Sequence, residues 1–279
     1  MNFKKGSFEF DRFQILYRVY GNAPNVIICV SGAQQTIASW KPFVSYFAKK
    51  YTVVIYDPPG QGQSKVLHGS HSVSLDEQVT VLKRIINIAG PSRPINIAAA
   101  SWGTIVSAVY VARAQDRVEK LILGSFGIKA NTTLINMINE GYLLASHQRW
   151  AQLGDHMVEW IGSQLPNHYK NRIREQFRNM SYDQRMQFFF QTKFVKTVQN
   201  IHDIVDLSHI NAETLIVNGA NDKILNHDDL DTAKELIPNC ECCILPGVGH
   251  FLHLENPEIL KFYEKFLDNG LSAIAEVTR

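Results

Sequence analysis

Ile95-Asn96-Ile97-Ala98-Ala99-Ala100-Ser101-Trp102-Gly103-Thr104 is the stretch whose reading decides the fold. Its apolar run stops at a serine and resumes at helical spacing, which predicts a buried strand, a tight turn carrying a hydroxyl, and a helix N-terminus behind it. A serine on so sharp a turn needs very small residues two positions to either side, because the backbone there is strained and closely packed. Ala99 and Gly103 occupy those positions, giving A-x-S-x-G with alanine where glycine is usual. Taken alone, the same serine also suits the N-cap of a helix over Gly103–Arg113. The rest of the chain has to decide between the two.

Working outward, Val26–Val30, Tyr51–Tyr56, Lys120–Gly124, Thr214–Val217 and Glu241–Leu245 are short, continuous apolar runs of the kind covered on both faces in a parallel sheet. Between them, Ala38–Lys49, Ser74–Ala89, Asp228–Leu236 and Glu258–Leu267 carry apolar residues at helical spacing. Ser7–Tyr20 alternates polar and apolar residues, which predicts an antiparallel hairpin at the start. Strands alternating with helices imply a mostly parallel, doubly wound α/β sheet. From Lys129 to Ile201 the rhythm breaks, leaving helical segments rich in aromatic and long polar residues. The expected organisation is therefore a core over 1–128, a helical cap over 129–201, and the second part of the core over 202–279.

Bulk properties restrict the partner. The 279 residues are 45% hydrophobic, with 28 basic against 26 acidic side chains, a balance that gives no reason to expect nucleic acid or an anionic membrane as partner. Cys29, Cys240, Cys242 and Cys243 have neither zinc-ligand spacing nor a disulfide framework, so reduced thiols are expected. No run approaches the roughly 18 apolar residues of a membrane span, and Met1-Asn2-Phe3-Lys4-Lys5 leads straight into charged sequence. The cytoplasm is the expected location, and the remaining histidines show no ligand-spaced cluster.

Nucleophilic serine chemistry requires a base and a group that orients it, brought to the same sheet edge from other strands. The run Thr214–Val217 leads into Asn218-Gly219-Ala220-Asn221-Asp222, and Glu241–Leu245 into Pro246-Gly247-Val248-Gly249-His250-Phe251. Asp222 also suits a simple turn beside Asn221. His253 competes with His250 for the base but lacks its flanking glycines.

The order Ser101, Asp222, His250 resembles that of the α/β-hydrolases. So do Asp57-Pro58-Pro59-Gly60-Gln61-Gly62-Gln63-Ser64, similar to their D-x-P-G-x-G-x-S structural turn, and Ser31-Gly32-Ala33-Gln34 where their oxyanion loop lies. The resemblance covers nearly the whole chain outside the helical stretch and implies an eight-stranded sheet. It also implies that the backbone N–H groups of Ala33 (with Gln34 as second choice) and Trp102 form the oxyanion hole. Gln34, Trp102, Phe126 and Phe251 are the expected substrate contacts. Within the superfamily, Ala100-Ser101-Trp102-Gly103, Gly32–Thr36, Asn218–Asp222 and Gly247–Leu252 resemble the 3-hydroxyacyl-carrier-protein acyltransferases that make the dimeric lipid precursor of rhamnolipids.

These readings predict an acyl-enzyme on Ser101 formed from a hydrophobic acyl ester or thioester, with no cofactor. Water as acceptor makes the protein an esterase or thioesterase. A 3-hydroxyacyl acceptor, with acyl-carrier protein as the implied partner, makes it an acyltransferase. A ligand sensor that keeps the site without turnover is the reading from another class, and C–C hydrolysis or lyase chemistry stays open because fold does not fix function. Met137, Met157, Met180 and Met186, with the aromatic content of 129–201, favour a long or bulky acyl chain.

Overall fold

The computed structural model of the chain describes residues 3–90, 94–114 and 117–275. Met1 and Asn2 of the N-terminal stretch read above lie outside the described residues. The opening alternation forms a hairpin of β1 (Phe3–Phe10) and β2 (Phe13–Tyr20), starting four residues before Ser7. The α/β units then follow as β3 (Val26–Val30), α1 (Lys41–Phe47), β4 (Thr52–Tyr56), β5 (Lys65–Val66), α2 (Leu75–Ala89), β6 (Ile95–Ala100), α3 (Trp102–Arg113) and β7 (Val118–Gly124). Four helices come next: α4 (Thr132–Ser146), α5 (Trp150–Trp160), α6 (Asn167–Arg178) and α7 (Tyr182–Thr197). The chain then re-enters the sheet as β8 (Glu213–Gly219), α8 (Asp229–Leu236) and β9 (Cys240–Leu245), and ends in α9 (Leu252–Glu255), α10 (Ile259–Asn269) and α11 (Ser272–Ala275).

The sheet order is β1-β2-β4-β3-β6-β7-β8-β9, antiparallel at the β1-β2-β4 side and parallel from β4 to β9. The expected eight strands form this path. The two-residue β5 adds a ninth by pairing with β2, too short to show a period in the sequence. All five residues of β3 and of β4 are buried, which is why these strands read as unbroken apolar runs. One core lies on the face covered by α2, α3 and α8, and includes Leu82, Ile86, Val109 and Leu230. The other lies on the face covered by α1 and α10, and includes Phe43, Phe47, Leu260 and Phe266.

Strand order reverses between β3 and β6. The chain leaves β3 toward β4 on one side, and leaves β6 toward β7 on the other. In open α/β sheets the loops at the carboxyl ends of such neighbours part to opposite faces and leave a crevice. Ser31–Gln35 and Ser101 flank this one. The four-helix segment leaves and rejoins the sheet at one point, where Lys129 and Asn200 form an antiparallel bridge. It carries its own small core of Leu153, Trp150, Phe177, Met180 and Phe188. Among the described residues, no helix is long and apolar enough to cross a membrane.

Candidate active site

The turn predicted at the end of β6 is sharp. Ser101 sits at φ 51° and ψ −123°, a conformation that L-residues rarely adopt and that functional sites retain at a cost. Its N–H donates to the Gly124 carbonyl at 2.8 Å, and its own carbonyl accepts from the Thr104 N–H and hydroxyl. The small-residue requirement is steric and local. A Cβ on Gly103 would lie 2.3 Å from the Val30 carbonyl oxygen and 2.7 Å from that of Ser31. Ala99, buried within the sheet, keeps its methyl group in the core without disturbing the turn.

Asp222 and His250 arrive from the ends of β8 and β9, whose following loops are tied together. The Ala220 N–H donates to the Leu245 carbonyl and the Asn221 N–H to that of Val248. Gly219 permits this approach, since a Cβ there would lie 2.3 Å from the carbonyl oxygens of both Val248 and Gly249. The Ser101 hydroxyl lies 2.9 Å from His250 Nε2, and His250 Nδ1 lies 2.6 Å from Asp222 Oδ2, so hydroxyl, imidazole and carboxylate form one hydrogen-bonded chain. Asp222 and His250 are both buried. Burial works against a charged His250 ring, but the charge and hydrogen bond of Asp222, joined by the charge of Glu255, more than offset it and raise its pKa above the usual histidine value.

The His250 backbone is clamped from two sides by residues that carry no sequence motif. The Ser125 hydroxyl donates to the His250 carbonyl at 2.7 Å, and Ser125 itself lies at φ 58° at the end of β7. The Glu255 carboxylate accepts from the Gly249 N–H at 2.6 Å and the Phe251 N–H at 3.0 Å. The only hint in the sequence was that a glycine-flanked histidine loop leaves backbone donors needing acceptors. His253, the rival base, is stacked on Trp40 with ring centroids 5.5 Å apart and faces the Ser39 carbonyl. Burial pushes its pKa down to about 4 despite that carbonyl, so it belongs to the core beneath the site.

On the β3 side, Ser31–Gln35 forms a turn in which the Gln35 N–H donates to the Gly32 carbonyl and the Gly32 N–H to Gln35 Oε1. Gln34 lies at φ 58°. The Asp57 carboxylate ties this region down by accepting from the Ile37 and Gln63 N–H groups, a structural part as the sequence implied. Trp102 opens α3, so its N–H has no carbonyl one turn back to bond. Its indole donates to Gln78 Oε1 and packs edge-on against Phe194 of α7.

Ala33, Gln34, Trp102, His250 and Phe251 line, with Ser101, a cavity of about 200 Å³. Phe126 does not, contrary to expectation. Asn218 exchanges two hydrogen bonds with its backbone, and the ring, 1% exposed, is turned into the sheet core, leaving Ser125 and Gly127 on the wall. The helical segment supplies the far wall through Met137, Met157, Phe188 and Phe194. Of the four methionines singled out, Met180 packs inside the segment's own core and Met186 does not line the cavity. A second cavity of about 80 Å³ shares Ala33, Gln34, Met157, Ile161 and Phe251 with the first and extends to Tyr169, Arg172 and Gln176 of α6. Among the described residues, no group of three or more His, Cys, Asp or Glu side chains is placed to hold a metal ion.

The α/β hydrolase fold family profile matches residues 25–257. This chain belongs to that family. The α/β-hydrolase resembles an (R)-3-hydroxydecanoyl-ACP:CoA transacylase of Pseudomonas aeruginosa, 26% identical over 250 residues that cover 88% of this chain and 82% of the relative. It is also similar to a 2-hydroxy-6-oxononadienedioate/2-hydroxy-6-oxononatrienedioate hydrolase of Pseudomonas putida, 24% identical over 254 residues and 88% of both chains. Among solved structures, the enol-lactonase from Burkholderia xenovorans superposes with a TM-score of 0.78 at 16% identity, covering 94% of this chain and 99% of the lactonase. At that identity the likeness shows the α/β-hydrolase fold alone. The resemblance to the 3-hydroxyacyl acyltransferases read from the motifs agrees with the first of these relatives.

Proposed function

We propose that this α/β-hydrolase transfers a hydrophobic acyl group from an ester or thioester through an acyl-enzyme on Ser101. The observation that carries the reading is the Ser101–His250–Asp222 hydrogen-bonded chain opening into a cavity whose far wall is Met137, Met157, Phe188 and Phe194. His250 Nε2 accepts the Ser101 proton as Oγ attacks the carbonyl carbon, and Asp222 holds the ring in the tautomer with Nδ1 protonated. The backbone N–H groups of Ala33 and Trp102 stabilise the tetrahedral oxyanion. His250 then protonates the leaving alcohol or thiol, and the ester of Ser101 remains. A second acceptor, deprotonated by His250 in its turn, takes the acyl group and restores the serine. The helical segment over 129–201 acts as the cap that shapes the acyl site.

Water as acceptor makes the enzyme an esterase or thioesterase. Acyl transfer to a 3-hydroxyacyl acceptor is the second reading; transfer as such is supported by the transacylase relative, whose name gives ACP as donor and CoA, a thiol, as acceptor, and the adjoining cavity, which meets the first at Ala33 and Phe251, adds room beside the site. Incubation with a 3-hydroxydecanoyl thioester separates them by product: free acid for hydrolysis, ester-linked dimers for transfer. The common step is tested by Ser101→Ala, which is expected to lower turnover of p-nitrophenyl decanoate on the order of 10⁶-fold and to abolish fluorophosphonate labelling. Near-native turnover by that variant overturns the assignment.

A further inference from the structure

The cavity beside Ser101 contains a buried polar pair that the acyl-transfer steps leave unused. Gln34 and Gln191, the latter in the middle of α7, meet head to tail, with Gln34 Nε2 donating to Gln191 Oε1 at 3.1 Å. They are 6% and 5% exposed, and both line the cavity. This bond occupies one end of each amide. The other ends, Gln34 Oε1 and Gln191 Nε2, are buried with no hydrogen-bond partner.

Other polar groups on the cavity wall behave differently. The Thr104 hydroxyl donates to the Ser101 carbonyl, the Thr192 hydroxyl to that of Phe189, and Gln35 Oε1 accepts from Gly32. A buried amide end without a partner is costly, and apolar side chains at both positions avoid the cost altogether. Unpartnered buried amide ends also occur at Gln61 and Gln187, away from the cavity wall; Gln34 and Gln191 differ in belonging to one bonded pair on that wall, and this placement points to a ligand.

The chemistry of the missing partner follows from the pair itself. A head-to-tail amide pair always leaves one donor and one acceptor, whichever way both amides are turned. A hydroxyl matches both at once, since its O–H donates to the carbonyl oxygen while its oxygen accepts from the amide N–H. A keto or ester oxygen accepts only, and a methylene does neither. Gln34 follows Ala33 directly, and consecutive Cα atoms lie about 3.8 Å apart, so the hydroxyl falls near the reacting carbonyl and not at the far end of the chain. The loop is held from the cap as well, because Gln176 Nε2 of α6 donates to the Gln34 carbonyl.

We propose that Gln34 and Gln191 form a hydroxyl-binding subsite that selects acyl groups carrying a hydroxyl close to the carbonyl. The assignment rests on Ser101 as the acylated residue, because that fixes which end of the substrate lies at Ala33. It predicts which residues discriminate, and that an acyl group lacking the hydroxyl leaves the pair unsatisfied and binds more weakly.

The test is calorimetric, on the Ser101→Ala variant, with N-acetylcysteamine thioesters of 3-hydroxydecanoate, 10-hydroxydecanoate and decanoate. The 3-hydroxy thioester is expected to bind at least about tenfold tighter than the decanoyl thioester, with no gain for the 10-hydroxy isomer. Adding Gln191→Leu should reduce that preference to within about twofold, a folded state being verified by its melting transition. Equal binding of the three thioesters, no measurable binding of any, or a preference that survives Gln191→Leu overturns the proposal. The wild-type ratio of kcat/KM for the 3-hydroxy and decanoyl thioesters gives a second reading that does not depend on the Leu variant folding, and a ratio near one also overturns it. Failure of the Ser101 reading is seen separately, as turnover that survives Ser101→Ala, while the binding preference is measured without turnover.

Discussion

Glu255→Gln separates positioning of the base from the chemistry of the base. The Glu255 carboxylate accepts from the N–H groups on both sides of His250, at 2.6 Å from Gly249 and 3.0 Å from Phe251. A glutamine keeps one acceptor and turns an NH₂ group toward the other backbone donor. One charge-assisted bond, about 1.5–3 kcal/mol, is lost and the other falls to the neutral range. Because Glu255 is partly exposed, solvent recovers some of this, and a net loss of about 2 kcal/mol is expected, divided between stability and the placement of His250.

The charge has an effect of a different kind. Glu255 is one of the groups that raise the His250 pKa above its ordinary 6.5. In the proposed mechanism His250 acts as base only when neutral, so activity falls as pH drops through that raised value. Removing an anion that favours the protonated ring lowers the pKa, and the acid limb of kcat/KM moves to lower pH. Measured on p-nitrophenyl decanoate from pH 5 to 9, Glu255→Gln should show this shift together with an alkaline plateau reduced by roughly tenfold, as a displaced base requires. Glu255→Asp, which keeps the charge, should leave the limb nearer its original place. An acid limb that stays put or moves up in Glu255→Gln refutes the electrostatic part, and an unchanged plateau with an unchanged melting temperature refutes the positioning part.

Two further perturbations test the frame around the site. Gly103→Ala places a methyl group 2.3 Å from a backbone carbonyl at the end of β3, so both the Ser101 turn and the Ser31–Gln35 loop must shift. A loss of about 1–3 kcal/mol in thermal unfolding and on the order of 100-fold in kcat/KM is expected; near-native values of both would show that the close approach is dispensable. His253 is held neutral by burial, with its pKa lowered from 6.5 to about 4. The unfolded chain therefore takes up the proton first. Stability is complete above pH 6.5 and declines by about 3 kcal/mol as pH falls to 4. In His253→Phe that part of the acid-induced loss should disappear from the pH dependence of the melting temperature, and an unaltered profile would assign it to other groups.

The parts of this protein that were legible in its sequence are those set by local rules. Two-sided burial leaves an unbroken apolar run in β3 and shorter ones inside β4, β6, β7 and β8, and the crowding around Ser101 demands a glycine at 103, so both are visible without tertiary information. The meeting of Asp222 and His250 was legible because their loops follow neighbouring parallel strands, whose carboxyl ends the topology brings together; β9, expected to be covered on both faces, is instead the half-exposed edge strand, with Ile244 open to solvent. Phe126 occupies the same kind of position and was misread. Whether a side chain after a strand faces the cavity or the core depends on its turn, and at β7 the φ of 58° at Ser125 and the grip of Asn218 send the ring inward.

Gln34 was expected to contact substrate from its place in the Ser31–Gln35 loop, but its partner and the pairing were illegible for a deeper reason. Gln34 and Gln191 lie 157 residues apart, on a sheet loop and in α7, and Gln191 belongs to no pattern that burial or turn chemistry imposes. A glutamine at helical spacing in α7 looks like a solvated polar residue until the helix is laid against the sheet. The sheet side of the site is held by backbone requirements, whereas the proposed choice of acyl group falls to side chains that meet only between a sheet loop and α7. A change at position 191 can thus alter what is accepted while the Ser101–His250–Asp222 chain, anchored by β6, β8, β9 and their loops together with Ser125 after β7 and Glu255 of α9, keeps its geometry.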